Sequence, residues 1–263
     1  MKIEELNIYP IKSARGQSVK EMKINVDGPE GDRQWMLVDE NGKFLSQRTL
    51  PKLATVEVFS DPTSLTVGID KMFFKISKNN SFQRKAKVNI WNDTVEAALE
   101  PDLYSQALSQ YLGVPCRLVR YAPYSQRRVL SHNPDWKPEV RFADGRPLLL
   151  VNNKSLEDLN ARLPNPVGVD RFRANIVFQG AAAYEEDSWK KIKIGEVVFS
   201  LPKRCSRCTM ITIDQKTGVP NGPEPLKTLA GYRREGKDVF FGTLWIPENE
   251  GTIRIDDKLQ VLG

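Results

Sequence analysis

The chain has 263 residues, 40% hydrophobic and 27% charged, an ordinary soluble globular composition long enough for one large or two modest domains with real cores. Its 39 basic and 33 acidic residues leave a formal charge of +6, but the signs are interspersed and no helix-turn-helix, zinc-finger or RNA-binding signature accompanies them. No apolar run approaches a membrane span, the first ten residues lack the apolar core of a signal peptide, and three cysteines make no disulfide framework, so a cytoplasmic protein without membrane or nucleic-acid partners is expected. A basic pocket for a small phosphorylated ligand explains the surplus charge as well as a duplex-binding face does.

In chain order, residues 1–10 alternate as a strand, and a small polar turn carrying Lys12, Ser13 and Arg15 follows. Residues 18–26 alternate again, Asp27 to Arg33 is a Gly/Pro turn, and residues 34–38 form a strand that a hairpin signal at Asp39 to Gly42 returns through Phe44 and Leu45. Short strands near residues 56–59, 65–69, 73–76 and 87–91 complete a series spaced as in a barrel or sandwich. Residues 101–113 read as a helix with Leu103, Ala107, Leu108, Tyr111 and Leu112 on one face and Gly113 as its stop. Residues 122–146, with Trp136 and Phe142 among polar residues, are the best domain boundary, giving 1–122 and 123–263.

The second half opens with a buried run at 147–151 and a helix over 154–163. Residues 171–178 alternate, which places Arg171, Arg173 and Asn175 on one face of a strand. A hairpin around Gly195, a short helix over 224–232 and closing strands through Phe240, Trp245 and residues 251–261 follow.

Between them lies Cys205-Ser-Arg-Cys208, flanked by Lys203, Arg204 and Arg207 and followed by an apolar alternating run, Met210, Ile211, Ile213, read as a strand. Cations beside a thiol lower its pKa, and the thiolate is the form that attacks or binds metal. A structural zinc site needs four ligands, and only Cys116 and His132 remain to supply them. A thioredoxin-type pair should open a helix, and inert core cysteines are the third alternative. Four stretches thus offer anion-binding groups: Lys12/Ser13, Arg33 with Arg48, Arg171/Arg173/Asn175, and residues 203–208. No serine-hydrolase elbow, Walker loop or dinucleotide fingerprint is present, and the lone His132 lies in a Pro/Asn-rich loop. An enzyme built on this chain would rely on a bound cofactor for the hard chemistry.

These residues resemble the MOSC family (molybdenum-cofactor-sulfurase C-terminal domain) preceded by that family's N-terminal β-barrel domain. The resemblance rests on Tyr9-Pro-Ile-Lys-Ser13, Gly28-Pro-Glu-Gly-Asp-Arg33, Phe142-Ala-Asp-Gly145, Ser155-Leu-Glu-Asp-Leu-Asn160, Phe172-Arg-Ala-Asn-Ile-Val177, Glu186-Asp-Ser-Trp189, Cys205-Ser-Arg-Cys208 and Asp214 to Gly218. It implies a mainly β fold with a few short helices and two barrel-like domains, the second like the pyruvate-kinase barrel. It also implies a molybdenum–molybdopterin cofactor whose metal is ligated by Cys208. Lys12, Ser13, Arg33, Arg173, Asn175, Ser206 and Arg207 match positions that hold the pterin and phosphate, while Cys205 matches a cysteine that is not the ligand. After Phe241, Gly242 is carried over alone, because Thr243-Leu244 stands where an aromatic is common. A C-terminal iron–sulfur domain of the kind some relatives carry is not expected, because the sequence stops at Gly263.

The implied activity removes oxygen from an N–OH group with two electrons and two protons, leaving an amine or amidine and water. Electrons would come from a separate flavin or iron–sulfur protein, and pyridoxal phosphate binding is a further family-level property. The rival readings are a sulfur or cofactor carrier using a cysteine persulfide, and a nucleic-acid-binding β-barrel module.

Overall fold

The computed structural model describes residues 1–79, 84–129 and 138–262. His132 and Trp136 lie outside them. The fold is mainly β, and the described residues contain three α-helices, Asp102–Leu112, Asn153–Asn160 and Leu226–Tyr232. The largest sheet runs Leu259–Val261, Ile192–Ile194, Val197–Ser206, Asp238–Pro247, Leu148–Asn152, Ile176–Gln179, Lys2–Ile8, Gln17–Val19, with the short Arg234–Glu235 pairing off Asp238–Pro247. Among the strands of the described residues, only Leu148–Asn152 and Ile176–Gln179 pair in parallel, and the helix Asn153–Asn160 makes the crossover that such a pair needs.

Strands from both ends of the chain share these sheets. Lys2–Ile8 is antiparallel to Ile176–Gln179, and Glu21–Asn25 lies between Gly28–Pro29 and Gly251–Arg254. Ile3, Leu6, Ile24, Phe178, Phe199 and Trp245 therefore bury into one core. Two further sheets belong to the first half: Trp35–Val38, Arg117–Arg120, Asp93–Leu99, Lys85–Ile90, and the three-stranded Glu57–Ser60, Ser64–Ile69, Met72–Ser77. Phe142 packs against the first of these, edge-on to Tyr121 at 5.4 Å. The two halves thus meet along a seam that runs past Tyr9, Arg33 and Phe142.

Residues 171–175 are not a strand: Val169–Phe172 is a 3-10 turn, Arg173 takes a left-handed φ of +57°, and the strand is only Ile176–Gln179. Thr209–Thr212 is likewise a 3-10 turn rather than a strand: Arg171 Nη1 donates to Ile211 O within it at 3.5 Å, and Nη2 pairs with Asp214 just beyond it at 3.1 Å, which curls the chain back. Asp93–Leu99, unread in the sequence, is a full strand paired along Lys85–Ile90. The return from the Asp39 turn is not a strand: Phe44 bridges to Val38 and Lys43 to Asn89, each in isolation. The helix Asp102–Leu112 ends as expected on Gly113 at φ +76°, although Leu103 is exposed and not on its buried face.

Candidate functional site

A cleft of about 290 Å³ opens on the seam. Eight lysines and arginines line it against one carboxylate, Asp144. Lys12, Ser13, Arg33, Arg173, Asn175, Ser206, Arg207 and Cys208, all singled out in the sequence, reach this one cleft.

The turn after the first strand presents Lys12 and Ser13. Lys12 N–H donates to Trp35 O at 2.8 Å, Ala14 N–H closes the turn on Ile11 O, and Ser13 takes φ +67°. The Lys12 ammonium is buried, donates to Phe142 O at 2.9 Å and pairs with Asp144. Burial lowers the Lys12 pKa, with Asp144 opposing. On Asp144, desolvation in the cleft pushes up, but Lys12 and the Trp91 N–H outweigh it and hold the carboxyl at about 2.

Arg33, Arg173 and Asn175 form the inner wall. Arg33 Nη1 donates to both Asp32 oxygens and to Asn175 Oδ1 at 2.9 Å, and its Nη2 donates to Arg173 O at 3.3 Å. Asn175 Nδ2 donates in turn to Asn7 O and Asp32 Oδ1, both at 3.1 Å. Arg33 and Arg173 both lie over the Tyr9 ring, at 4.4 and 4.3 Å, which holds two like charges close together. Arg173 donates to Ala14 O through Nη1, but its buried Nη2 has no partner among the described residues. Burial, then the neighbouring Arg33, pulls Arg173 down to about 10. A buried guanidinium N–H left unpaired beside other cations is costly unless an anion arrives to accept from it.

The outer wall is the end of strand Val197–Ser206. Arg207 N–H donates to Val239 O at 2.7 Å, and its guanidinium is spent on backbone: Nε and Nη2 donate to Phe241 O, Nη1 to Phe172 O at 3.1 Å. Ser206 Oγ donates to Asp238 at 2.7 Å, and Arg204 pairs with Glu235. This bracing turns the chain so that Cys208 ends up exposed at the start of the Thr209–Thr212 turn. Cys205 is half-buried, and burial pushes its thiol up against the pull of Arg207 and Lys203. The flanking cations therefore do not lower the Cys205 thiol.

Two expected residues lie elsewhere. Arg48 is not in the lining; it stacks on the Trp91 ring at 4.5 Å. Gly242 is also absent from the lining: at φ +70° it lies where a Cβ would come within 2.8 Å of Leu150 O, so it lets two strands approach. The sequence reading gave no role to Trp91, Asp144 and Arg146, all of which line the cleft. Asp144 stood in the Phe142-Ala-Asp-Gly145 motif, but its ion pair with Lys12, 132 residues away, left no local signal. Cys116 is buried beside Ser109 in the core of the first half, and no three His, Cys, Asp or Glu side chains converge among the described residues. The cysteine pair is therefore not part of an assembled zinc site there.

Residues 1–115 match the model of the MOSC N-terminal beta barrel domain, and residues 137–260 match the MOSC domain. The mitochondrial amidoxime-reducing component 1 of Homo sapiens is 31% identical over 99% of this chain and 83% of its own length. The chain belongs to the MOSC family. Another MOSC relative, the mitochondrial amidoxime reducing component 2 of Bos taurus, is 29% identical over 98% of this chain and 82% of its own. The molybdenum cofactor sulfurase of Oryza sativa subsp. japonica is 31% identical over 92% of this chain, which spans only 32% of that longer protein. Among the described residues, no helix is long and apolar enough to cross a membrane.

Proposed function

We propose that this MOSC protein uses a molybdenum–molybdopterin cofactor to remove oxygen from N-hydroxylated small molecules, with Cys208 as the protein ligand to the metal. The observation that carries the reading is an exposed soft thiol in a cation-lined cleft that also holds a buried, unpartnered guanidinium N–H on Arg173. A metal here must bring most of its ligands with it, as one carried in an anionic cofactor does, since no ligand cluster is offered by the described residues.

The residues present fit such a group. Arg173, through Nη2, and the Lys12–Ser13 turn would take the phosphate, and Ser206, whose hydroxyl already donates to Asp238, would offer its oxygen as an acceptor to the pterin. Arg33, Asn175 and Arg207 act chiefly by holding the cleft's shape, because their side chains already bond within the protein. Gly242 acts from behind the wall. When bound, the cofactor would supply oxygen-atom acceptance for R–NHOH + 2e⁻ + 2H⁺ → R–NH₂ + H₂O. Asp144, ionised near neutral pH, would accept a hydrogen bond from the substrate's N–H. Residues 1–122 supply the phosphate turn and the Trp91 rim as one domain, and residues 123–263 supply Cys208 as the other. The electrons would come from a separate flavin or iron–sulfur protein.

Protein produced in a cofactor-competent host and reduced chemically is expected to convert an N-hydroxylated base to its amine, and Cys208→Ser to lose most of that turnover. Undiminished turnover by the variant would overturn the reading. The second reading, a sulfur or cofactor carrier, is favoured by one observation: a second thiol, Cys205, lines the same cleft. A persulfide on either cysteine after incubation with a sulfur donor, without reductase turnover, would support it.

A further inference from the structure

The hairpin between Lys85–Ile90 and Asp93–Leu99 turns through Trp91 and Asn92, with Ile90 paired to Asp93. Of the two turn residues only Trp91 has a positive φ, +56°. A two-residue hairpin with positive φ at its first central position alone ordinarily takes glycine there. A tryptophan in that conformation is strained, and the turn itself does not require it.

Core packing does not explain the choice, because Trp91 is 46% exposed. The ring is nevertheless held in place. Its indole N–H donates to Asp144 Oδ1 at 3.0 Å, the Arg48 guanidinium lies 4.5 Å from the ring and the Phe44 ring 5.2 Å away. Trp91 lines the cleft that holds Cys208, and Arg48 and Phe44, which do not line it, pack against the ring. A strained, braced and solvent-accessible aromatic ring at the rim of a reactive cleft is what a substrate platform requires.

We propose that Trp91 is a specificity-determining residue. Its ring is the surface on which a planar conjugated N-hydroxylated compound, a heteroaromatic base or an aryl amidoxime, stacks while its N–OH group reaches toward Cys208. This rests on the reductase reading of the cleft. Removing one aromatic platform weakens stacking of a base by roughly ten- to a hundredfold.

The test compares Trp91→Gly, which suits the backbone conformation, with Trp91→Phe, which keeps a ring. In loaded protein, Trp91→Gly should raise KM for an N-hydroxylated adenine about tenfold or more. The ratio of kcat/KM, planar substrate over a small aliphatic hydroxylamine, should fall by a similar factor, and Trp91→Phe should restore most of it. An unchanged ratio in Trp91→Gly would overturn the proposal, whether or not overall turnover falls. Calorimetric titration with adenine, the unreactive product, reads the same contact without turnover, and Trp91→Gly should bind it more weakly. If the wild type turns over neither substrate, the reductase reading fails. The adenine titration then decides the platform by itself: equal binding by wild type and Trp91→Gly rejects it, and weaker binding by the variant upholds it.

Discussion

The Lys12 ammonium, buried in the seam, pairs with Asp144 from the other half of the chain and donates to Phe142 O at 2.9 Å. The two partners do not gain equally. Desolvation dominates on Lys12 and lowers its pKa, so this lysine opposes folding while charged, a cost relieved only as pH rises through its folded value toward 10.5. Asp144 is held down at about 2, so its contribution to stability is present above the ordinary 3.8 and is lost as pH falls toward 2.

Acid unfolding should therefore include proton uptake at Asp144. Between about pH 4 and 2, Asp144→Asn should show a flatter dependence of urea-unfolding stability on pH than the wild type. Identical slopes would contradict the pairing.

Glu186 gives the opposite sign. It is fully buried, accepts from Ser155 Oγ at 3.1 Å and Asn152 Nδ2 at 3.3 Å, and burial pushes its carboxyl above the ordinary 4.5. Its stabilising contribution is complete below 4.5 and is lost as pH rises through the elevated folded value. Glu186→Gln should thus lose less stability than the wild type between pH 5 and 8 in the same unfolding assay. Glu186→Ala, which leaves Ser155 and Asn152 short of an acceptor, should cost about 1–3 kcal/mol.

Much of the fold was legible because its strands are short, alternating and punctuated by turns, and residues from all four cation-bearing stretches, Arg48 excepted, meet in one cleft. The errors have specific causes. Alternation at Arg171, Arg173 and Asn175 comes from a 3-10 turn and a left-handed residue rather than from a pleat, and no local pattern distinguishes these. Thr209–Thr212 has strand-forming residues, but the Arg171–Asp214 pair bends it. Asp93–Leu99 was hidden by two alanines and by a turn that carries tryptophan where glycine is expected. Arg207 reads as a ligand-binding cation, yet its guanidinium donates to two backbone carbonyl oxygens.

Gly242 tests whether the cleft's back wall is as tight as it looks. Gly242→Ala places a Cβ 2.8 Å from Leu150 O and 2.9 Å from Val151 Cγ2 at φ +70°. The backbone conformation alone should cost about 1–3 kcal/mol, with the steric contact adding to it, read as a lower urea midpoint. A midpoint unchanged from wild type would contradict the close approach of the two strands.

Arg173 should report anion binding before any cofactor is involved. Inorganic phosphate is expected to raise the unfolding temperature of the wild type, because an anion that binds only the folded state stabilises it. Arg173→Met, which removes the unpartnered Nη2, should show a smaller rise. Equal rises would place the anion elsewhere.

The most direct measurement is the molybdenum and pterin content of protein from a cofactor-competent host, for the wild type, Cys205→Ser and Cys208→Ser. Near-stoichiometric molybdenum in the first two and its loss in Cys208→Ser is the predicted result. Molybdenum retained in Cys208→Ser at the wild-type level, or absent from all three, would contradict the assignment of Cys208 as the metal's protein ligand.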